Sequence, residues 1–221
     1  MVKITAKAVL IATGSDYKKS GVPGEAEYFA RGVHYCATCD GAFYRDKKLV
    51  VVGGGNSAVQ EAVFLTRFAT HIDLLVRGPK FRASDVLQEE LKKHAGKIKV
   101  HFNTTTDEIV AENNKIVKVI GTKEGTKTNF PTDGVFVFVG LKPNTGFLHG
   151  IVELDEIGMI KTNESLETNI PGVFAAGDVR SGATMQIASA VGEGATAALT
   201  IRKYLEELDR ETAVEPAVSK V

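Results

Sequence analysis

Cysteine is scarce in this chain, with two in 221 residues. That is too few for the disulfide scaffold of a small secreted protein, so a reducing compartment, the cytoplasm, is the expected location. Surplus charge is missing too: 27 Lys+Arg stand against 27 Asp+Glu. With no net field to draw in a polyanion, nucleic acid and anionic membrane are not expected as partners. No apolar run approaches the roughly 18 residues that a membrane-spanning helix needs. The opening residues Met1–Lys7 alternate like an edge strand and lack the apolar core of a signal peptide. Internal repeats and low-complexity tracts are also lacking. What is present is 43% apolar residues, enough to build the cores of one large or two ordinary domains.

The order of the apolar runs predicts an α/β chain. Ala8–Gly14 (AVLIATG) is a short apolar run ending in glycine, as a buried strand does, and residues 15–34 are loop-rich, with Gly21, Pro23, Gly24 and Gly32. Lys48–Val52, Ile72–Val76, Lys99–Phe102 and Val135–Val139 read as strands. Ser57–Phe68 places Ala58, Val59, Ala62, Val63, Leu65 and Phe68 on a helical face, and Ser84–His94 reads as a second helix with Ser84 as its N-cap. Residues 107–130 break into three alternating runs punctuated by Asn113-Asn114 and Gly125-Thr126, a small antiparallel meander. Residues 48–139 therefore give a doubly wound, Rossmann-like unit, a parallel sheet with a β insertion. Beyond residue 143 the pattern offers a strand pair around Leu154–Thr162, a strand at Val173–Ala176, one long small-residue helix from about Met185 to Leu208, and a polar, frayed tail. That set is too sparse for a domain of its own.

Two motifs carry chemistry. Gly53, Gly55 and Ala58 match G-x-G-x-x-A between a strand and a helix. The first glycine allows the tight turn, the second lets a pyrophosphate approach the backbone, and the small third residue lets the helix pack on the strand. Asn56 and Ser57 start the helix, whose free N–H groups face the phosphates. The competing reading is a glycine-rich turn that binds nothing. After the next strand comes Val76-Arg77-Gly78-Pro79-Lys80-Phe81-Arg82, with no acid until Asp85. A carboxylate there would grip the ribose of NAD, whereas Arg77 and Arg82 suit the extra phosphate of NADP(H); a merely solvated basic loop is the alternative. The second motif is Cys36-Ala37-Thr38-Cys39, followed by Asp40-Gly41. A structural zinc site would need four ligands, and His34 alone leaves the pair short. A redox dithiol needs no further ligand: one thiolate attacks and the other resolves. Asp40 is either a proton relay to the departing thiolate or the first residue of an Asp-Gly turn.

C-A-T-C-D-G at 36–41, V-V-G-G-G-N-S-A at 51–58 and P-G-V-F-A-A-G-D-V at 171–179, in this order, resemble the low-molecular-weight thioredoxin reductases, a flavoprotein family, over about Ala8 to Leu208. The resemblance implies hydride transfer from NADPH to FAD, then to a Cys36–Cys39 disulfide, then to thioredoxin, in a homodimer. It implies that Cys39 faces the flavin, Cys36 attacks the partner and Asp40 is the acid/base. Gly177 and Asp178 would bind the flavin, with Met185, Gln186 and Ile187 beside its ring system. It places an NADP(H)-binding domain at 30–142, carrying the dithiol, and an incomplete FAD-binding domain at 1–29 and 143–221, with hinges at Glu27–Gly32 and Gly140–Asn144. Two departures stand out. The family's H-R-R-x-x-F-R has Val76 and Gly78 in place of the His and the second Arg, which weakens discrimination against NADH. The family's N-terminal FAD pyrophosphate loop has no counterpart before Ala8, so the chain is expected to begin on the order of 100 residues late and to hold FAD poorly. The alternatives are the flavoprotein reductase of a peroxiredoxin and a non-catalytic NADP-binding fragment.

Overall fold

The computed structural model describes residues 3–214. Met1, Val2 and the last part of the expected tail, 215–221, lie outside the described residues. In chain order come β1 (Val9–Ile11), β2 (Ser15–Tyr17), β3 (Val33–His34), α1 (Ala37–Asp40) and a 3₁₀ turn, Gly41–Tyr44. Strand and helix then alternate: β4 (Lys48–Val52), α2 (Asn56–Leu65), β5 (His71–Leu75), α3 (Asp85–Lys92) and β6 (Ile98–His101). β7 (Thr104–Glu112), β8 (Lys115–Lys123), β9 (Thr126–Pro131), β10 (Gly134–Val137) and β11 (Leu141–Pro143) follow. β12 (Val173–Ala175) and α4 (Ile187–Val214) come last. The chain divides into two units, Tyr17–Gly140 and Met1–Asp16 with Leu141–Val221. No helix among the described residues is long and apolar enough to cross a membrane.

The unit at Tyr17–Gly140 is built on a parallel sheet of order β3-β10-β4-β5-β6. β4 and β10 are buried over Leu49–Val52 and Gly134–Val137 because helices and meander cover both faces, which is why these strands read as unbroken apolar runs rather than alternation. On one face α2 and α3 seat Val59, Ala62, Leu65 and Leu91 against Leu49, Val51, Leu74 and Phe136. On the other the meander β7-β8-β9 seats Ile109, Ile116, Val119 and Phe130 against Val50, Val52 and Val135. Asn113 and Asn114 both adopt positive φ (51° and 60°), the conformation a two-residue hairpin turn requires.

The observed helix α2 starts one residue before the predicted Ser57 and gives way after Leu65 to a turn in which the Phe68 N–H donates to Leu65 O. Ser84 occupies the N-cap position of α3 without a side-chain capping bond; its own N–H donates instead to Asn56 Oδ1 at 2.9 Å. Residues 17–29, which the sequence reading joins to the other unit, lie within Tyr17–Gly140. Val22 and Tyr28 pack on the meander-side core, and the Ile109 N–H donates to Pro23 O. The expected hinge at Glu27–Gly32 is a closed turn, with the Arg31 side chain donating to Glu27 O.

In the other unit β1 pairs in parallel with β12, and β2 pairs with β11. A small core joins Ile11, Leu148, Val152, Ile160, Ala175 and Val179. Residues 3–7 form no strand; the ladder begins at Val9, where β12 supplies a partner. The expected strand pair around 154–162 reduces to a single bridge between Leu154 and Ile160. Two side chains explain this: Asp155 Oδ1 takes the Met159 N–H and Asn169 Oδ1 the Glu153 N–H, bonds that a ladder would otherwise use. The long helix runs on to Val214, so the residues just after Leu208 are helical rather than frayed.

Candidate functional site

In the unit at Tyr17–Gly140 the strand order reverses between β4 and β10, and ligand crevices in open α/β sheets lie at such points, beyond the carboxyl ends of the strands. The β4–α2 turn sits there. Gly53 has φ +142°, and a methyl group added to it would lie 2.3 Å from Phe138 O and 2.8 Å from Ala58 Cβ. Only glycine fits. Ala58 is fully buried beneath the turn. Gly55 has open space where its side chain would be, and no side chain caps α2, so the helix's first N–H groups stay available to an anion.

A cleft of about 600 Å³ opens beside the turn. Lys18, Lys19, Arg77, Lys80 and Arg82 line it and no carboxylate does. Val52, Phe138 and Thr104–Thr106 are further walls, and the Thr106 hydroxyl is buried without a hydrogen-bond partner. Of the sequence-predicted residues Gly53, Arg77 and Arg82 line the cleft; Gly55, Asn56, Ser57 and Ala58 do not. Asn56 ties the start of α2 to the basic loop, whose Arg82 N–H donates to Gly54 O. Lys18, Lys19, Ser20 and the threonines went unread because no motif marks them; the Lys18-Lys19 doublet was their one visible signal. A pocket with five cations, no acid and a backbone turn bare of side chains fits a phosphate-rich dinucleotide.

The dithiol stands in the same unit. Cys36 and Cys39 are joined in a disulfide with Cα atoms 5.3 Å apart. Cys36 is the N-cap of α1, and the Cys39 N–H donates to its sulfur at 3.1 Å. Cys39 is exposed and Cys36 half-buried. The expected Asp-Gly turn is not formed: Asp40 ends α1 and Gly41 opens the 3₁₀ turn. The Asp40 carboxylate lies 3.1 Å from His34 Nδ1, and His34 Nε2 lies 2.7 Å from the Tyr44 hydroxyl. Burial lowers the His34 pKa, against the opposing pull of Asp40. The Tyr44 phenol is pushed up to about 12, by burial first and then by the carboxylates of Asp40 and Asp133. Tyr35, just before Cys36, donates to the buried Glu25 at 2.8 Å; that carboxylate also accepts the N–H groups of Ser20 and Gly21 and the Ser20 hydroxyl. Neither Glu25 nor Tyr44 belongs to a motif, and both are found only through their partners.

In the other unit Gly177 has φ +75°, its N–H donates to Glu193 on α4 at 2.7 Å, and a methyl on it would lie 3.5 Å from Ala190 Cβ. The Gly177-Asp178 turn is thereby held against the first turns of α4. Met185 and Gln186 directly precede that helix, and Ile187 begins it fully in solvent. Arg180 completes the link with a bond to Glu193 at 2.6 Å, and the Ser15 hydroxyl donates to Asp178 O.

A doubly wound sheet with a bare glycine turn, a basic crevice and a CxxC disulfide defines a nucleotide-linked disulfide oxidoreductase. Comparison with known proteins agrees. A family profile described as pyridine nucleotide-disulphide oxidoreductase matches residues 1–194. A thioredoxin reductase of Listeria innocua is 44% identical over 214 residues, 96% of this chain and 67% of the relative. One from Bacillus subtilis is 46% identical over 205 residues, 92% of this chain and 65% of the relative. The crystal structure of thioredoxin reductase from Streptococcus pyogenes superposes with a TM-score of 0.83 at 42% identity, over 90% of this chain and 66% of that one. The chain belongs to the thioredoxin reductases of the pyridine nucleotide-disulphide oxidoreductase family. It spans about two thirds of the length of these relatives.

Proposed function

We propose that the chain passes an electron pair from NADPH to the Cys36–Cys39 disulfide and on to a thioredoxin-like protein. The supporting observation is the five-cation, acid-free crevice at the glycine turn, in the same unit as the bonded CxxC pair. Arg77, Lys80 and Arg82 would hold the 2′-phosphate, and Gly53–Gly55 with the start of α2 the pyrophosphate. Gly177, Asp178 and Met185–Ile187 would hold part of FAD, which when bound supplies a two-electron relay between nicotinamide and disulfide. On this reading reduction of the disulfide takes up two electrons and two protons and leaves two thiols. Cys36 then attacks the partner's disulfide; Cys39 attacks the resulting mixed disulfide, closes the Cys36–Cys39 bond and releases the partner reduced. Asp40 holds the proton that a sulfur gives up on becoming a thiolate, or returns it. A homodimer belongs to this proposal as what the resemblance implies, and a cytoplasmic location as what the low cysteine count supports.

The experiment is a calorimetric titration with NADPH and NADH, followed by anaerobic incubation with NADPH, with and without added FAD, and counting of the thiols formed. NADPH is expected to bind more tightly than NADH. Arg77→Ala and Arg82→Ala should each weaken NADPH about tenfold or more, the effect of one lost charge-assisted contact at about 1.5–3 kcal/mol. Absence of NADPH binding, or thiols that never form whatever FAD is supplied, would overturn the proposal. Discharge of the reduced dithiol to a peroxiredoxin rather than to thioredoxin would reassign the partner.

A further inference from the structure

We propose that His34 is a positioning residue: its ring, fixed against the sheet by Tyr44, holds in place the carboxylate of Asp40, the residue that follows Cys39. This rests on the reading of Asp40 as acid/base. His34 is the second residue of β3, paired with Phe136 on β10. Its ring packs on Phe136 with centroids 5.2 Å apart and meets the Tyr44 ring edge-on at 5.4 Å. Tyr44 stands over Gly134, where an added methyl would lie 2.3 Å from Tyr44 Cε1. The imidazole therefore has almost no freedom to turn.

Hydrogen bonding then fixes its tautomer. A carboxylate only accepts, so His34 Nδ1 carries the hydrogen toward Asp40 across 3.1 Å. Nε2 is left as the acceptor, and the Tyr44 hydroxyl donates to it across 2.7 Å. Both ring nitrogens are thus engaged by partners of the correct sense. The His34 side chain is 8% exposed and that of Asp40 30%, so the carboxylate is the member free to swing into solvent once the imidazole donor is removed. Burial keeps the ring uncharged at neutral pH, which makes the link a neutral donor to a carboxylate. The charged groups that bear on this cluster are Asp40 itself and, through Tyr44, Asp133.

The test uses the whole chain, reduced with dithiothreitol, and follows the pH dependence of thiol alkylation by iodoacetamide. Asp40→Asn is expected to shift the alkylation midpoint by on the order of one pH unit, as loss of a neighbouring charge does. His34→Gln, whose amide reaches toward Tyr44 but not Asp40, should shift it in the same direction. His34→Asn keeps an N–H near the Nδ1 position and should leave the midpoint unchanged. His34→Gln added to Asp40→Asn should shift nothing more. If Asp40→Asn acts and His34→Gln does not, the positioning role is overturned and the reading of Asp40 stands. If neither acts, both fall. Equal shifts in His34→Asn and His34→Gln, or a full further shift in the double variant, would also overturn the positioning role, since packing or direct contact with the sulfurs would then be responsible. Circular dichroism confirms folding; should His34→Gln fail to fold, His34→Phe with Tyr44→Phe keeps the rings packed and is judged by the same criteria.

Discussion

At Gly53 a single methyl group has nowhere to go. Gly53→Ala would press Cβ into Phe138 O in a left-handed backbone, a strain of about 1–3 kcal/mol. Urea unfolding should show that loss, and NADPH titration a parallel loss of binding. Glu25 makes a different kind of test. Burial works against its ionisation, but the hydrogen bonds from Tyr35, Ser20 and Gly21 outweigh burial and hold its pKa below the ordinary 4.5. On unfolding, the carboxylate returns to that higher value and takes up a proton more readily. Its contribution to stability is therefore complete above about pH 4.5 and disappears as pH falls through the lower folded value. Thermal melts from about pH 6 to pH 3 should fall steeply at the acid end in the wild type and less steeply in Glu25→Gln. Gly53 was legible in the sequence because its requirement is local, a turn between strand and helix. Glu25 was not, since its partners Ser20 and Tyr35 are joined to it only by the fold.

Helix ends and faces set the next scale. α2 has Gly55 at its N-cap and no side-chain cap. Gly55→Ser should stabilise the free chain by a few tenths of a kcal/mol (about 0.3 at the cap) while weakening NADPH, because the hydroxyl occupies the N–H groups that an anion would use. Melting curves with and without NADPH measure both effects. α4 carries the opposite feature, an exposed apolar stripe of Ile187 (85%), Val191 (67%) and Leu199 (61%) at helical spacing. Replacing all three with Ser should leave unfolding free energy within about 0.5 kcal/mol per site and reduce self-association in sedimentation velocity. Elements with a strong period were readable: the β–α alternation from Lys48 to His101 and the meander were located to within a few residues. Those decided by single side chains were not, as Asp155 and Asn169 show by taking N–H groups that the expected strand pair would have used.

For the molecule as a whole, the two units have separate cores. The clusters around Leu49 and Val50 lie within Tyr17–Gly140, and those around Ile160 and Leu166 in the remainder. Calorimetry should resolve two unfolding transitions, the lower one from the unit with the smaller core. NADPH at about 100 times its Kd should raise only the upper, by the equivalent of about 2.7 kcal/mol. A single transition displaced as one by NADPH would contradict this. The division after Asp16 was hidden in the sequence because residues 17–29 are loop, and loops carry no period to say which core they cover; Val22 and Tyr28 reveal it only by where they pack.

β10 lies between the two halves of the chemistry. Val135 and Phe136 stand in register on one side with Val33 and His34, three and two residues before Cys36, and on the other with Val50 and Val51, three and two residues before Gly53. Thiol loop and glycine turn are thus measured off from one shared rail. Anyone grafting a new redox loop here, or widening the crevice for another dinucleotide, will find the two tasks geared together: a slip of one rung on that rail displaces both ends at once.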